Sequence, residues 1–223
     1  MATPEAPSLP PDRPPRTFGV CGAVGSGKSA VAAGLERMGA AIIDADRLAH
    51  TALDRPDVRD GLVAEFGTEI LGPDGRIDRA RLRPLVFGPA PEHVARRRRL
   101  ESHVHPVVRA MIVDAIAAAH VQSPLPPFIV LDVPLLTEGP TAALCDAVVF
   151  VDAPPEVRRE RTARTRGWTT AEHEAREAAQ SSVEDKRRAA RFVVRNDGSE
   201  SDLKAEVDRL FRELCNFRPE SRS

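Results

Sequence analysis

Gly22-Ala23-Val24-Gly25-Ser26-Gly27-Lys28-Ser29 carries the spacing G-x-x-x-x-G-K-[ST], and that spacing serves one kind of chemistry, the wrapping of a polyphosphate. Backbone N–H groups must turn inward to reach phosphate oxygens, and glycines such as Gly25 and Gly27 permit that approach. Lys28 adds a point charge at the β- and γ-phosphates, and the Ser29 hydroxyl is suited to Mg²⁺. Thr17 to Cys21 reads as a short buried strand and Ser29 to Met38 as a helix, whose dipole would point at the anion. A strand before the loop and a helix after it imply a nucleoside triphosphate site.

Asp44-Ala45-Asp46 follows a second apolar run directly. In an extended segment residues i and i+2 face the same way, so both carboxylates could enter one site. One would accept the proton of an attacking hydroxyl, and the other would hold Mg²⁺ through water. The plainer alternative is a helix N-cap, with Asp46 opening the helix that starts at Arg47. Arg158, Arg159, Arg161, Arg164 and Arg166 form a second group, in which Arg161 and Arg164 stand i, i+3 as a charge clamp requires. An exposed helix salt-bridged through Glu156 and Glu160 would explain the same residues. Arg96 to Arg99 resembles a nucleic-acid patch only at first sight, because four consecutive helical residues spread around the circumference. His103 and His105 lack neighbours in sequence with which to build a metal cage. Asp132 ends an apolar run as a Walker B aspartate does.

Parallel strands covered by helices are the elements that must position these groups. Ala40–Asp44, Pro127–Asp132, Ala147–Val151 and Phe192–Val194 join Thr17–Cys21 as apolar runs without alternation, the mark of strands buried on both faces. The expected fold is α/β, a P-loop three-layer α/β/α arrangement with a five-stranded parallel sheet. Leu203, Val207, Leu210 and Leu214 give a last helix over about 202–214. Two helical stretches interrupt the pattern, about 48–123 and about 158–188, where an acceptor-binding insertion and a closing lid would sit. A proline-rich tail at 1–16, a catalytic domain over 17–217 and a C-terminal tail at 218–223 complete the expected organisation.

Composition narrows the class. With 223 residues and a formal net charge of −1, no global field draws the chain to nucleic acid or to an anionic membrane. The apolar runs are far shorter than the roughly 18 residues a membrane span needs. Cys21, Cys145 and Cys215 are widely spaced and suit a reducing, cytoplasmic setting. Only Lys28, Lys186 and Lys204 of the 32 basic residues are lysine, so a lysine at position 28 signals a need for a compact ammonium.

From Phe18 to Leu214 the chain resembles the dephospho-CoA kinase family. The residues that carry the resemblance are the P-loop, Ile42-Ile43-Asp44-Ala45-Asp46, Phe66-Gly67, Gly75 to Arg79, His105-Pro106, Pro134-Leu135-Leu136-Thr137-Glu138, Arg161, Gln180 and Asn196-Asp197-Gly198. The resemblance implies ATP-dependent phosphorylation of the ribose 3′-hydroxyl of dephospho-CoA by a monomer or weak homo-oligomer. It places Gly25, Ser26, Gly27, Lys28, Ser29 and Ala30 on the ATP phosphates, Asp46 as base with Asp44 beside it, and Arg161 at the transferring phosphate. Asn196 to Gly198 match a loop beside the adenine. His105, Pro134, Leu135, Leu136 and Glu138 are candidates for substrate contacts, with a structural role for His105 the alternative. Mg²⁺ would sit on Ser29, with Asp44 reached through water. Cys21, Ala23, Ala30, Glu101, Thr137 and Arg158 depart from the family's usual residues, and all of them spare Lys28, Ser29, Asp44, Asp46 and Arg161. Another small P-loop kinase is the nearest alternative. A nucleotide-dependent switch is a more distant one, because the chain has no N-K-x-D guanine motif.

Overall fold

Apolar runs with no polar alternation cannot face water on either side, and here they are sandwiched as strands. A computed structural model of the chain describes residues 14–88, 90–133, 140–178 and 180–219. Strands β1 (Arg16–Gly22), β2 (Ala41–Asp44), β3 (Phe128–Asp132), β4 (Ala147–Asp152) and β5 (Phe192–Arg195) form one parallel sheet in the order β2-β3-β1-β4-β5. The two strands that flank β1 are the most apolar in sequence, as the centre of a covered sheet requires. Register brings strand ends level: Val20 pairs with Asp132, Gly22 with Val151, and Asp152 with Arg195. The P-loop therefore leaves the sheet at the edge where Asp132 and Asp152 end their own strands, the edge at which open α/β sheets bind ligands.

Helices α1 (Lys28–Arg37) and α9 (Glu200–Asn216) pack on the sheet. Val31, Leu35, Val207, Leu210 and Leu214 are buried against Phe18, Val20, Phe128 and Val149, each large side chain contributing about 1.5–3 kcal/mol. Gly34 lets the two helices approach closely, since a Cβ there would lie 2.9 Å from Val207 Cγ1. Phe18 meets Phe128, Phe192 and Phe217 edge to face, with centroids 5.6, 6.1 and 5.5 Å away. Ser199 caps α9 with a capping box to Asp202, so the helix begins at Glu200, two residues before the start that periodicity alone suggests.

Chain contacts divide the protein into two compact units, Asp44–Ala115 and the remainder, and each is described by itself. The smaller unit holds α2 (Ala45–Leu53), α3 (Pro56–Phe66), α4 (Arg79–Val86) and most of α5 (Pro91–His120). Val58, Leu62, Ile70, Leu82, Val104 and Val108 are among its buried apolar residues. A tight turn closes where Gly75 N donates to Gly72 O, and Asp78 then caps α4. Pro106 lies inside α5, so His105-Pro106 falls within a helix. The larger unit adds α6 (Pro155–Arg166), α7 (Thr170–Ala178) and α8 (Val183–Ala189), with Gly167 as the left-handed end of α6. Pro134, Leu135, Leu136, Thr137 and Glu138, the tail up to residue 13 and the last four residues lie outside the described residues.

Candidate active site

The first amides of any helix lack intrahelical acceptors, and a side-chain cap, water or a ligand must meet them. Side chains of Asp44, Asp78, Ser182 and Ser199 cap α2, α4, α8 and α9. Helix α1 opens on Gly27 with no side-chain cap, as α3 and α6 do on Arg55 and Pro154, but unlike those two it has no acid in its first turn. Its dipole and free N–H groups are left to an anion. Gly27 holds this opening at φ 91°, and a Cβ on it would meet Asn196 Nδ2 at 2.1 Å. Gly25, at φ 77°, brings the loop against α6, where a Cβ would lie 2.7 Å from Arg158 O.

Two cations rest on this loop. Lys28 Nζ donates to Gly22 O at 3.0 Å and Ala23 O at 3.2 Å. Burial pushes its pKa below the usual lysine range, opposed chiefly by the Asp132 carboxylate and reinforced by the charge of Lys186. Arg161 Nη1 donates to Ser26 O at 3.4 Å, and Nη2 donates to Asn196 Oδ1 at 3.0 Å. Asn196 Nδ2 in turn donates to Ser26 O at 2.8 Å. The structure thus gathers Gly25, Ser26, Gly27, Lys28, Arg161 and Asn196 around one helix start, with Ser29 and Ala30 exposed in its first turn. Gly198 precedes the Ser199 cap of α9.

The remaining arginines part company. Arg164 is exposed, 3.9 Å from Glu160, so Arg161 alone of the i, i+3 pair touches the loop. Arg166 and Arg176 stack over Trp168 at 4.8 and 4.2 Å from its ring centroid. Arg158 is only 4 % exposed, although sequence offered it as part of a solvated face. Its Nε donates to Ala153 O at 3.0 Å and its Nη1 pairs with Glu177, while Glu177 Oε2 also lies 3.2 Å from His173 Nε2. His173 Nδ1 meets Thr162 Oγ1 at 2.8 Å, so a buried polar chain ties α7 to α6. Nothing in the local periodicity of α6 announces this, because Glu177 comes from another helix. Removing one member of a buried pair strands the other charge. Glu177→Ala is therefore expected to cost about 3 kcal/mol, towards the low end for a buried pair because Glu177 is partly exposed. Thermal unfolding should register this as a fall of roughly 6–12 °C, and an unchanged midpoint would mean that the pair carries no net stability.

Lys186 is a second buried residue for which sequence proposed no role. It is 2 % exposed, its Nζ donates to Gln180 Oε1 at 2.6 Å, and its carbonyl lies 3.9 Å from Cys21 Sγ. Burial raises the Cys21 pKa to about 11, against the charges of Lys186 and Lys28, so the thiol stays protonated at neutral pH. The scarcity of lysine was the available signal: two of the three lysines converge on the strand that leads into the P-loop.

In the other unit, the extended chain ends at Asp44, and Asp46 is already in the first turn of α2. Facing by i and i+2 therefore does not apply to these two aspartates. Asp44, not Asp46, is the cap, its Oδ1 accepting from Arg47 N at 3.0 Å. Asp46 is exposed and has no partner among the described residues. His105 is exposed on α5, and His103 packs on Gly61.

The donor set fits Mg²⁺, which takes one or two protein oxygens and fills its shell with phosphate and water. Ser29 offers an exposed hydroxyl, and the Asp132 carboxylate is close enough to act on Lys28. Among the described residues no three His, Cys, Asp or Glu side chains gather into a metal cage. A cleft of about 530 Å³ opens at the chain neighbours of Asn196, Arg195 and Asp197, with Ala153, Pro154 and Val183 as apolar lining and Arg187 as further polar lining. Among the described residues no helix is long and apolar enough to cross a membrane.

Comparison with known proteins gives a consistent result. The family model described as dephospho-CoA kinase matches residues 16–202. A dephospho-CoA kinase of Anaeromyxobacter dehalogenans is 41% identical over 201 residues, covering 89% of this chain and 92% of that one. A Thermus thermophilus protein of known crystal structure superposes with a TM-score of 0.73 at 34% identity, over 91% of this chain and 99% of that one. The dephospho-CoA kinase of Campylobacter jejuni gives a TM-score of 0.67 at 25% identity, over 89% and 96%.

Proposed function

The chain belongs to the dephospho-CoA kinase family, and on that premise we propose how its residues divide the transfer of the ATP γ-phosphoryl group to the ribose 3′-hydroxyl of dephospho-CoA. The observation that carries the reading is the uncapped start of α1 with two cations, Lys28 and Arg161, lying on its loop carbonyls. Incoming phosphate oxygens compete for those same cations. They offer full negative charge in place of neutral carbonyls, so Lys28 and Arg161 exchange weaker partners for stronger ones. Phosphoryl transfer asks little covalent chemistry of a protein beyond positioning and charge neutralisation.

In this division the amides of Gly25 to Ala30 bind the phosphate chain, Lys28 neutralises charge between the β- and γ-phosphates, and Arg161 follows the group in flight. Asp46 accepts the proton of the 3′-hydroxyl, since its carboxylate is not engaged as a cap, and Asp44 holds the turn that presents it. Mg²⁺, held by Ser29 with Asp132 or with Asp44 through water, supplies further neutralisation when bound. The cleft beside Asp197 takes the nucleobase against Ala153 and Pro154. Residues 48–123 and His105 serve the acceptor, residues 158–188 form the lid, and the enzyme works in the cytoplasm as a monomer or weak homo-oligomer.

The deciding experiment measures ADP release from Mg²⁺-ATP with dephospho-CoA, adenosine, AMP, CMP, pantothenate or no acceptor. Saturable stimulation by dephospho-CoA alone, with CoA as product, is expected. Stimulation by another acceptor would keep a kinase and discard the substrate. Acceptor-independent hydrolysis would discard the transfer reading.

A further inference from the structure

Asn196 is 5 % exposed at the end of β5, where its backbone N donates to Asp152 O at 2.8 Å. Both polar atoms of its side chain are committed. Nδ2 donates to the Ser26 carbonyl at 2.8 Å, and Oδ1 accepts from Arg161 Nη2 at 3.0 Å. Only one orientation of the amide satisfies both partners, because a carbonyl needs a donor and a guanidinium needs an acceptor. Aspartate would set a carboxylate against the Ser26 carbonyl, and an aliphatic residue would leave both groups unpaired in a buried place. The amide is also packed on Gly27, the residue that opens α1. Family resemblance puts the Asn196–Gly198 loop beside adenine, yet the Asn196 side chain is turned to the phosphate loop, where both its polar atoms are bonded.

We propose that Asn196 is a positioning residue for phosphoryl transfer: anchored on the Ser26 carbonyl of the P-loop, it holds the Arg161 guanidinium over that loop. The proposal rests on the reading of Arg161 as the arginine of the transferring phosphate. Arg161 has four rotatable side-chain bonds and comes from a helix separate from the loop. Holding it in place beforehand removes ordering that each turnover would otherwise require. Asn196 works through Arg161, and base recognition belongs to the cleft beside it.

The test compares the full-length enzyme with Arg161→Ala, Asn196→Ala and the double variant, reading kcat, KM for ATP and for dephospho-CoA, and the ATP-to-GTP preference. Arg161→Ala should lower kcat by about 100-fold or more. Asn196→Ala should lower it by about 10-fold or more, with the KM for dephospho-CoA unmoved and the ATP-to-GTP preference retained. The double variant should be no slower than Arg161→Ala within about 2–3-fold, since a residue acting through Arg161 has nothing left to position. Losses that multiply in the double variant would overturn the proposal, as would a collapse of the nucleotide preference or full activity of Asn196→Ala. Full activity of Arg161→Ala would sink the parent reading and this one together. A slow Arg161→Ala with multiplying losses would sink only this one. Should Asn196→Ala unfold, Asn196→Ser, whose short hydroxyl cannot span both partners, is read against the same criteria.

Discussion

Lys28→Ala is expected to lower turnover by about three orders of magnitude or more, and to weaken ATP by about 10–100-fold. Two separate losses underlie this. In the ground state the ammonium makes charge-assisted hydrogen bonds to phosphate oxygens, each about twice as strong as a neutral one. As the γ-phosphoryl group moves, charge concentrates where Lys28 lies, so the larger share of the loss falls on kcat. The resting structure shows the cost already accepted to keep this group: burial disfavours the charged ammonium, and two loop carbonyls with the nearby Asp132 carboxylate compensate. Titration of ATP and of AMP into the variant separates the terms. Affinity for AMP should barely change, because the reach of Lys28 is the β- and γ-phosphates. An ATP titration indistinguishable from that of the unsubstituted protein would mean that the loop does not bind phosphate as argued. Lys28→Arg adds a second discrimination: a planar guanidinium is bulkier and differently directed than the compact ammonium held by the Gly22 and Ala23 carbonyls, so charge alone should not rescue turnover. In a chain that otherwise prefers arginine, such rescue would remove the physical reason for lysine at this position.

Much of the sheet was legible because its centre is unambiguous. Phe18 to Cys21, Phe128 to Leu131 and Val149 to Val151 are buried runs with no polar interruption, and only a strand covered on both faces tolerates them. The P-loop was legible because glycine, lysine and serine at fixed spacing have few other uses. Legibility failed wherever a tertiary partner decides a side chain's fate. Arg158 reads as solvated on its own helix, and it is buried because Glu177 on the next helix meets it. Asn196 reads as one residue of a loop, and its amide is set by Ser26, which is 170 positions away. The pair Asp44 and Asp46 failed differently. Both the strand and the helix are written in the sequence, and the boundary between them decides whether i and i+2 share a face. Asp44 caps Arg47, so the helical turn begins two residues earlier than the extended reading needs.

That boundary also sharpens the expected behaviour of the aspartates. Asp46→Asn should lower turnover by about 10²–10⁴-fold, the usual span for a lost general base, with little change in ATP affinity. Asp44→Asn is a different substitution. Asparagine caps helices about as well as aspartate, so α2 should keep its start and the protein its thermal midpoint. What Asp44→Asn removes is charge, and its effect should therefore appear as a shift in the Mg²⁺ concentration needed for half-maximal rate. Measuring kcat across a Mg²⁺ series for both variants assigns the roles. Asp46→Asn should stay slow at every Mg²⁺ concentration, because added metal cannot replace a proton acceptor. Equal activity of Asp46→Asn and the unsubstituted enzyme would sink the base assignment. A slow Asp44→Asn that no metal concentration restores would then move the assignment to the carboxylate at the end of β2. The cap does not forbid that outcome, because only Oδ1 of Asp44 is used by Arg47 N and its second oxygen is left for a proton. What favours Asp46 is that its carboxylate has no structural duty in the turn. A base must be able to turn toward the hydroxyl it deprotonates, and among the described residues nothing ties Asp46 down.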